Sequence, residues 1–276
     1  MTNAKDCLLL LLFSFVPPSS FADPIYLVTG ATGGTGSIIY KSLKSAGYST
    51  RALVTNVTKA KQLLNCSLCD ESEGIYVGDV TNVTSLEPAM AGVSFVADAV
   101  GAGGGSSDAV LENVEWHGVE NQVSALAQSA NDQGRLLSSL QFSMISSMGT
   151  TEINPKPFMG GDALFYKMQA ECFLASSGVP YTIVKPCGLS DGEAAQVQLN
   201  VGHDDWLTTK QAHKEFGFAT ITRADVARVI VHSLTSNRAG LRMDICGTTV
   251  NGTTPTSDKD LDALFDDATW PWARGS

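Results

Sequence analysis

"IYLVTGATGGTGSII", running from Ile25 to Ile39, decides the fold. Its first part is an unbroken apolar run ending in glycine, the pattern of a strand buried on both faces of a parallel sheet. The part that follows opens a helix, with Ile38, Ile39 and Leu43 on one face and a stop at Gly47. Between them stand Gly30, Gly33 and Gly36, each with a physical task. The first permits the tight turn, the second lets the backbone approach a pyrophosphate, and the third lets helix pack on strand. The helix N-terminus then turns its unpaired N–H groups toward the phosphates. Gly30, Thr32, Gly33, Gly34, Thr35 and Gly36 form the expected cradle, the alternative being a turn that holds no ligand.

Outward from this stretch the chain alternates. "STRALVTN" reads as a second strand, "TKAKQLLN" as a short helix, "GIYVGDV" as a third strand and "VSFVADAVGAG" as a fourth. "WHGVENQVSALAQSANDQG" is an amphipathic helix, "LQFSMISSMG" a fifth strand, "GDALFYKMQAECFLASSG" a helix and "PYTIVKP" a sixth strand. Strands alternating with helices imply right-handed crossovers, hence a Rossmann-type doubly wound parallel sheet in an α/β domain over residues 24–270. After Pro186 the alternation loosens, and residues from about 187 to 270 are expected to form a small C-terminal substrate lobe. The stretch "GAGGGSSD", Gly101 to Asp108, is a flexible loop at the C-terminal end of the fourth strand, where such sheets bind ligands.

Residues 1–22 differ in character and read as a targeting segment. The apolar run Leu8 to Val16 is short of the roughly 20 residues a bilayer span needs. Small residues at Ser20 and Ala22 suit cleavage, which points to an organelle or the secretory pathway, a plastid or an ER-derived lumen. A mis-set start codon or a packed extra helix would leave the protein cytoplasmic. A net charge of −10 with scattered Lys and Arg argues against nucleic-acid and anionic-membrane partners. Six cysteines, less Cys7 in the leader, leave an odd number and no disulfide framework is expected. Cys66-x-x-Cys69 has no second pair at finger spacing and reads as an inert loop pair, ahead of a redox pair or half a zinc site. His117, His203, His213 and His232 show no ligand spacing, so no metal site is expected.

The end of the second strand selects the dinucleotide. NAD binders place an acid there for the ribose hydroxyls. "RALVTNVTKAK" offers Arg51, Thr55, Asn56, Lys59 and Lys61 and no carboxylate, which favours NADP over NAD. Arg51 shares a strand face with Thr55, or is simply a solvated strand residue. Asp79, closing "YVGDV", suits the adenine edge; Val80 beside it, with Val100 and Gly101 after the fourth strand, completes the expected contacts.

"VTGATGGTG", "GDVTN", "VEWHGVENQV", "SSMGT", "KMQAECFLASSGVPYTIVKPCGL" and "ITRADVARVIV" together resemble the atypical short-chain dehydrogenase/reductases, in particular NmrA-like NAD(P)-binding proteins of plants and algae. The resemblance runs from Ile25 to Asp267. It implies a Rossmann fold, NADP binding and a C-terminal substrate lobe, and it places Ser147 as the catalytic serine and Lys167 as the active-site lysine. It further implies that Pro186 and Cys187 lie beside the nicotinamide and that Asn121 helps hold Lys167 through water. Read by itself, Cys187 is a small buried packing residue ahead of a reactive thiol. The sequence departs from the family at Lys185 and Thr55, both commonly arginine there.

Standard reductase chemistry sets a tyrosine acid four residues before the lysine, on one helix face. Four residues before Lys167 stands Ala163, and Tyr166 is adjacent to Lys167, about 100° around the helix. The expectation is therefore that Lys167 positions the ribose while any proton comes from Ser147, from Tyr166 after a local helix adjustment, or from water. Two functions compete: an NADPH-linked oxidoreductase on a small carbonyl or enone compound, and a non-catalytic NADP-binding redox sensor or assembly factor with a protein partner.

Overall fold

A computed structural model describes residues 23–151, 162–217 and 220–269. The expected targeting segment, with Cys7, Ser20 and Ala22, lies outside them. In chain order the strands are β1 (Ile25–Thr29), β2 (Ser49–Val54), β3 (Ile75–Val77), β4 (Val93–Asp98), β5 (Gln141–Ile145), β6 (Tyr181–Pro186), β7 (Leu189–Ser190), β8 (Leu199–Gly202), β9 (Ile221–Thr222) and β10 (Leu241–Gly247). The helices are α1 (Gly34–Ser45), α2 (Val57–Leu63), α3 (Glu87–Met90), α4 (Asp108–Leu111), α5 (Gly118–Asp132), α6 (Ala163–Ser176), α7 (Lys210–Phe216), α8 (Arg223–Thr235) and α9 (Leu261–Asp267). The stretch Glu112–His117 between α4 and α5 is wound as a π-helix.

Eight strands form one sheet in the order β3-β2-β1-β4-β5-β6-β10-β8, parallel except for β8 at the edge. The order reverses at β1, which is the switch point of a doubly wound sheet. Burial explains the apolar runs. Tyr26 and Val28 face the layer of α1, α8 and α9, whereas Leu27 between them faces α3, α5 and α6. The same division sends Ala97 to the first layer and Val96 to the second. A strand covered on both sides cannot keep a polar face, so alternation is absent where the sheet is central. No helix among the described residues is long and apolar enough to cross a membrane.

β10 and β8 extend the main sheet, so part of the chain beyond Pro186 belongs to the Rossmann core. The short parallel pair β7–β9 forms a second, two-stranded sheet, with Ile221 packed into the main core. The residue "Asp225" of "TRADVA" anchors its helix as the motif suggests. Thr222 caps α8 by accepting the Asp225 N–H at 3.0 Å and donates its own hydroxyl to the Asp225 carboxylate at 2.8 Å.

The expectation of no disulfide framework is overturned. Cys187 and Cys246 are bonded, with Cα atoms 5.4 Å apart, and so are Cys66 and Cys69. Cys187 is thus neither a lone packing residue nor a thiol, and Cys172 is the free, exposed cysteine among the described residues. The first bond follows from the register. Pro186 pairs with Ile245 across β6 and β10, so the next residue on each strand is Cys187 beside Cys246, well inside bridging range. A sequence separation of 59 hides that neighbourhood from any local reading.

Candidate dinucleotide and catalytic site

The glycine loop is built as expected. Gly30 has φ +64°, and a Cβ there would lie 2.5 Å from the Ala99 carbonyl oxygen. A Cβ on Gly36 would meet the Gly30 carbonyl oxygen at 2.2 Å, whereas on Gly33 the same atom would be 3.1 Å away. Gly30 and Gly36 therefore hold strand and helix together, while Gly33 keeps a surface bare. Gly33 also caps α1 without a side-chain hydrogen bond, and the first turn carries no acid. The cradle fits a pyrophosphate: backbone donors at a helix start, with no competing carboxylate. Thr32, Gly34 and Thr35 lie in the same turn, and the Arg223 side chain lies across it. A Cβ on Gly34 would sit 2.8 Å from Arg223 Cδ, whose guanidinium pairs with Asp191 at 2.7 Å.

At the adenosine side, Thr55 and Lys59 are exposed beyond β2. Arg51 is committed elsewhere: its Nη1 donates to the carbonyls of Ala89 (2.8 Å) and Ala91 (2.7 Å), and its guanidinium stands over the Tyr76 ring. Arg51 is thus tied to the end of α3 and to Tyr76 rather than simply solvated. Asp79 accepts from the Thr81 N–H and hydroxyl at 2.9 and 2.8 Å, closing its own turn. Asn121 donates to the Val80 carbonyl at 2.8 Å, pinning α5 to that turn.

Lys167 is held by Glu115, Nζ to Oε2 2.7 Å, with both side chains largely buried. The other Glu115 oxygen accepts the Ala102 N–H at 2.7 Å, which ties the glycine-rich loop to the lysine. Burial works to lower the Lys167 pKa, but Glu115, with Asp98 and Glu171 behind it, raises it on balance. Asp98 is buried beneath the glycine loop, where it accepts from Thr29 (2.9 Å), Val100 (3.2 Å) and Gln122 (3.3 Å). Desolvation lifts its carboxyl above the usual range. Glu115 sits in the π-helical turn, a winding that recurs at functional sites because it re-aims side chains.

Tyr166 points away from this pair. Its hydroxyl donates to Asp108 at 2.9 Å, and that bond foremost pushes the phenol pKa to about 12. Ser147 donates to the neighbouring Met148 carbonyl at 2.9 Å. No hydrogen bond joins Ser147, Tyr166 and Lys167 to one another among the described residues, which agrees with adjacent residues pointing along different helix directions. Pro186 is brought to the serine loop: its carbonyl accepts the Met148 N–H at 3.0 Å. After β4 the Val100 N lies against Gly30, and Gly101 follows it toward Glu115.

Beneath the serine loop lies an ionic floor that the sequence reading did not single out. Glu171, one turn after Lys167, accepts from Ser146, from Thr150 at 3.0 Å, and from Arg242 at 2.6 and 2.7 Å. Lys185, fully buried, reaches Asp205 at 2.8 Å and Asp244 at 3.3 Å. Asp205 in turn accepts the N–H groups of Gly149 (2.7 Å) and Thr151 (2.8 Å), and the Thr151 hydroxyl. The Lys185 departure from arginine therefore marks the centre of a buried network. Among the described residues the Asp244 carboxylate has only the 3.3 Å ion pair with Lys185 and no hydrogen bond of good geometry, and burial raises its pKa despite that neighbour.

Comparison with known proteins agrees with this geometry. Residues 30–237 match the family described as NAD(P)H-binding. An uncharacterized chloroplastic protein of Arabidopsis thaliana is 34% identical, the match covering 92% of this chain and 78% of that protein. Sanguinarine reductase of Eschscholzia californica is 29% identical over 89% of this chain and 96% of its own length. The photosystem II assembly factor Ycf39 of Cyanophora paradoxa is 27% identical over 77% of this chain and 61% of that protein. Among solved structures, a Bacillus halodurans protein assigned as an NAD-dependent epimerase/dehydratase shares the fold with a TM-score of 0.66 at 24% identity, covering 88% of this chain and 99% of that one. The dinucleotide cradle, the doubly wound sheet and the extent of the match lead to one conclusion: the chain belongs to the NAD(P)H-binding family.

Proposed function

We propose that the protein is an NADPH-linked oxidoreductase of the atypical short-chain type, acting on a small carbonyl or enone compound. The observation that carries this reading is the Lys167 ammonium, buried against Glu115 beside the loop that follows β4. A cation held there is placed to hold ribose hydroxyls and to favour negative charge developing on a substrate oxygen. The bound dinucleotide supplies hydride from its nicotinamide. The cradle Gly30–Gly36 receives the pyrophosphate, and Arg223 across Gly34 adds a cation on the same side. Lys59 and the lack of an acid near Thr55 favour the 2′-phosphate of NADPH. Pro186 and Cys187 flank the nicotinamide, and Ser147 or water returns the proton to the reduced substrate. The Arabidopsis relative described as chloroplastic supports a plastid location.

A second reading has its own support. Tyr166 is locked to Asp108 with its pKa pushed to about 12, which makes it a poor acid near neutrality. A non-catalytic NADPH-binding assembly factor would have no use for a better one. Titration calorimetry with NADPH and NADH, followed by NADPH oxidation with ketones, enones and sanguinarine, tests both. The enzyme reading expects NADPH to bind about tenfold tighter, as one charge-assisted phosphate contact would give, and turnover with a conjugated acceptor. Tight binding without turnover on any acceptor favours the second reading, and no binding removes both.

A further inference from the structure

The Cys66-x-x-Cys69 loop lies between α2 and β3, at the N-terminal edge of the sheet and so on the opposite edge from the glycine loop. By sequence it lacks a second ligand pair, but the fold supplies a third ligand. Glu73 folds back into the loop and accepts the backbone N–H groups of Ser67 (3.0 Å), Leu68 (2.8 Å) and Cys69 (2.6 Å). The two sulfurs and a Glu73 oxygen all lie within 4.8 Å of one another. Asn65 and Cys69 hold left-handed backbone, φ 55° and 56°.

We propose that Cys66, Cys69 and Glu73 form a Zn²⁺ site that opens when their disulfide is reduced. An external dithiol delivers two electrons and two protons, leaving Cys66 and Cys69 as thiols while the reductant closes to its own disulfide. Zn²⁺ then displaces both thiol protons to solvent and is held by two thiolates and the carboxylate. Zn–S bonds of about 2.3 Å and a Zn–O bond of about 2.1 Å require ligand atoms roughly 3.5–3.8 Å apart, so reduction must let the bonded sulfurs separate while the Glu73 oxygen already lies within 4.8 Å of both. The fourth tetrahedral position faces solvent beside exposed Ser67 and Leu68 and takes water. Oxidation and metal binding exclude each other, because the same two sulfurs serve both.

The full chain is tested with the metal alone. Protein reduced under argon, freed of reductant, is titrated with Zn²⁺ against a chromophoric chelator and with Co²⁺ by absorption. The expected result is one Zn²⁺ per reduced chain, at least tenfold weaker binding to the oxidised chain, and a near-ultraviolet sulfur-to-cobalt band. Cys66→Ser/Cys69→Ser should abolish the site, and Glu73→Gln, which keeps an acceptor for the amides, should weaken it at least tenfold. Circular dichroism confirms that each variant is folded, and the oxidised wild type is a folded control that needs no mutation. Equal Zn²⁺ uptake by reduced wild type and the double serine variant overturns the proposal, since the metal would then sit on other thiols. Equal affinity in folded Glu73→Gln overturns it as well.

Discussion

The two sides of the proposed site are made of different materials. The phosphate side is backbone: glycines whose missing side chains leave room, and amides at the start of α1. The side under Ser147 is charge: Lys185, Asp205, Asp244, Glu171 and Arg242, nearly all buried. A backbone site tolerates no added volume but is indifferent to pH. An ionic floor responds to pH and depends on its charges keeping their partners, because a buried charge without its partner is costly.

The sharpest way to break the comparison is Lys185→Ala. It strands Asp205 and Asp244 in the interior, and should cost about 3–5 kcal/mol in urea unfolding. The pH dependence follows from Asp205. Burial pushes its carboxyl up, but bonds from Lys185, Thr151 and Gly149 outweigh that and leave it below the usual range. A lowered folded pKa contributes stability above the ordinary Asp value and loses it as pH falls through the folded one. Urea melts of wild type taken downward from neutral pH should show that loss, and Asp205→Asn should lack its share. Asp244 works in the opposite sense. Its raised pKa makes stability fall as pH climbs from the ordinary Asp value through the folded one, and Asp244→Asn should remove that part of the slope.

The backbone side is tested by two glycines. Gly36→Val drives a side chain into the Gly30 carbonyl and should cost about 3 kcal/mol in thermal or chemical unfolding. Gly33→Val, with its looser approach, should stay folded while NADPH binding by calorimetry is lost. If both only weaken binding, the difference between holding the turn and baring it is wrong.

Arg51→Ala sharpens the line between structure and recognition. Losing two charge-assisted bonds to Ala89 and Ala91 should cost about 2 kcal/mol of stability and leave the NADPH-to-NADH affinity ratio unchanged. A collapse of that ratio would return Arg51 to the cofactor. The smallest effect is expected of Tyr166→Phe: about 1 kcal/mol from the partly exposed bond to Asp108, with any hydride-transfer rate within twofold of wild type.

The six strands from β1 to β6 and the cradle were legible because their signals are local: a glycine turn, an apolar run, a helix stop. The mismatch between Tyr166 and Lys167 was legible for the same reason, since helix geometry alone separates adjacent residues. Glu115 was not, although it sits in the quoted "VEWHGVENQV", because only the π-helical turn aims it at Lys167. Arg51 shows the limit from the other side. Its strand position suited a phosphate, but its length let it reach the end of α3 instead.

From its sequence alone this protein was committed to a parallel α/β sheet, a dinucleotide turn after β1 and a lysine without its tyrosine, because periodicity and spacing act within a few residues. Tertiary structure alone decided that Cys187 meets Cys246 and that Lys185 joins Asp205 and Asp244. Such pairings depend on the register of neighbouring strands and on where crossovers return the chain. A charged or sulfur-bearing side chain carries no mark of its distant partner, so its role appears only when the fold has placed the two together.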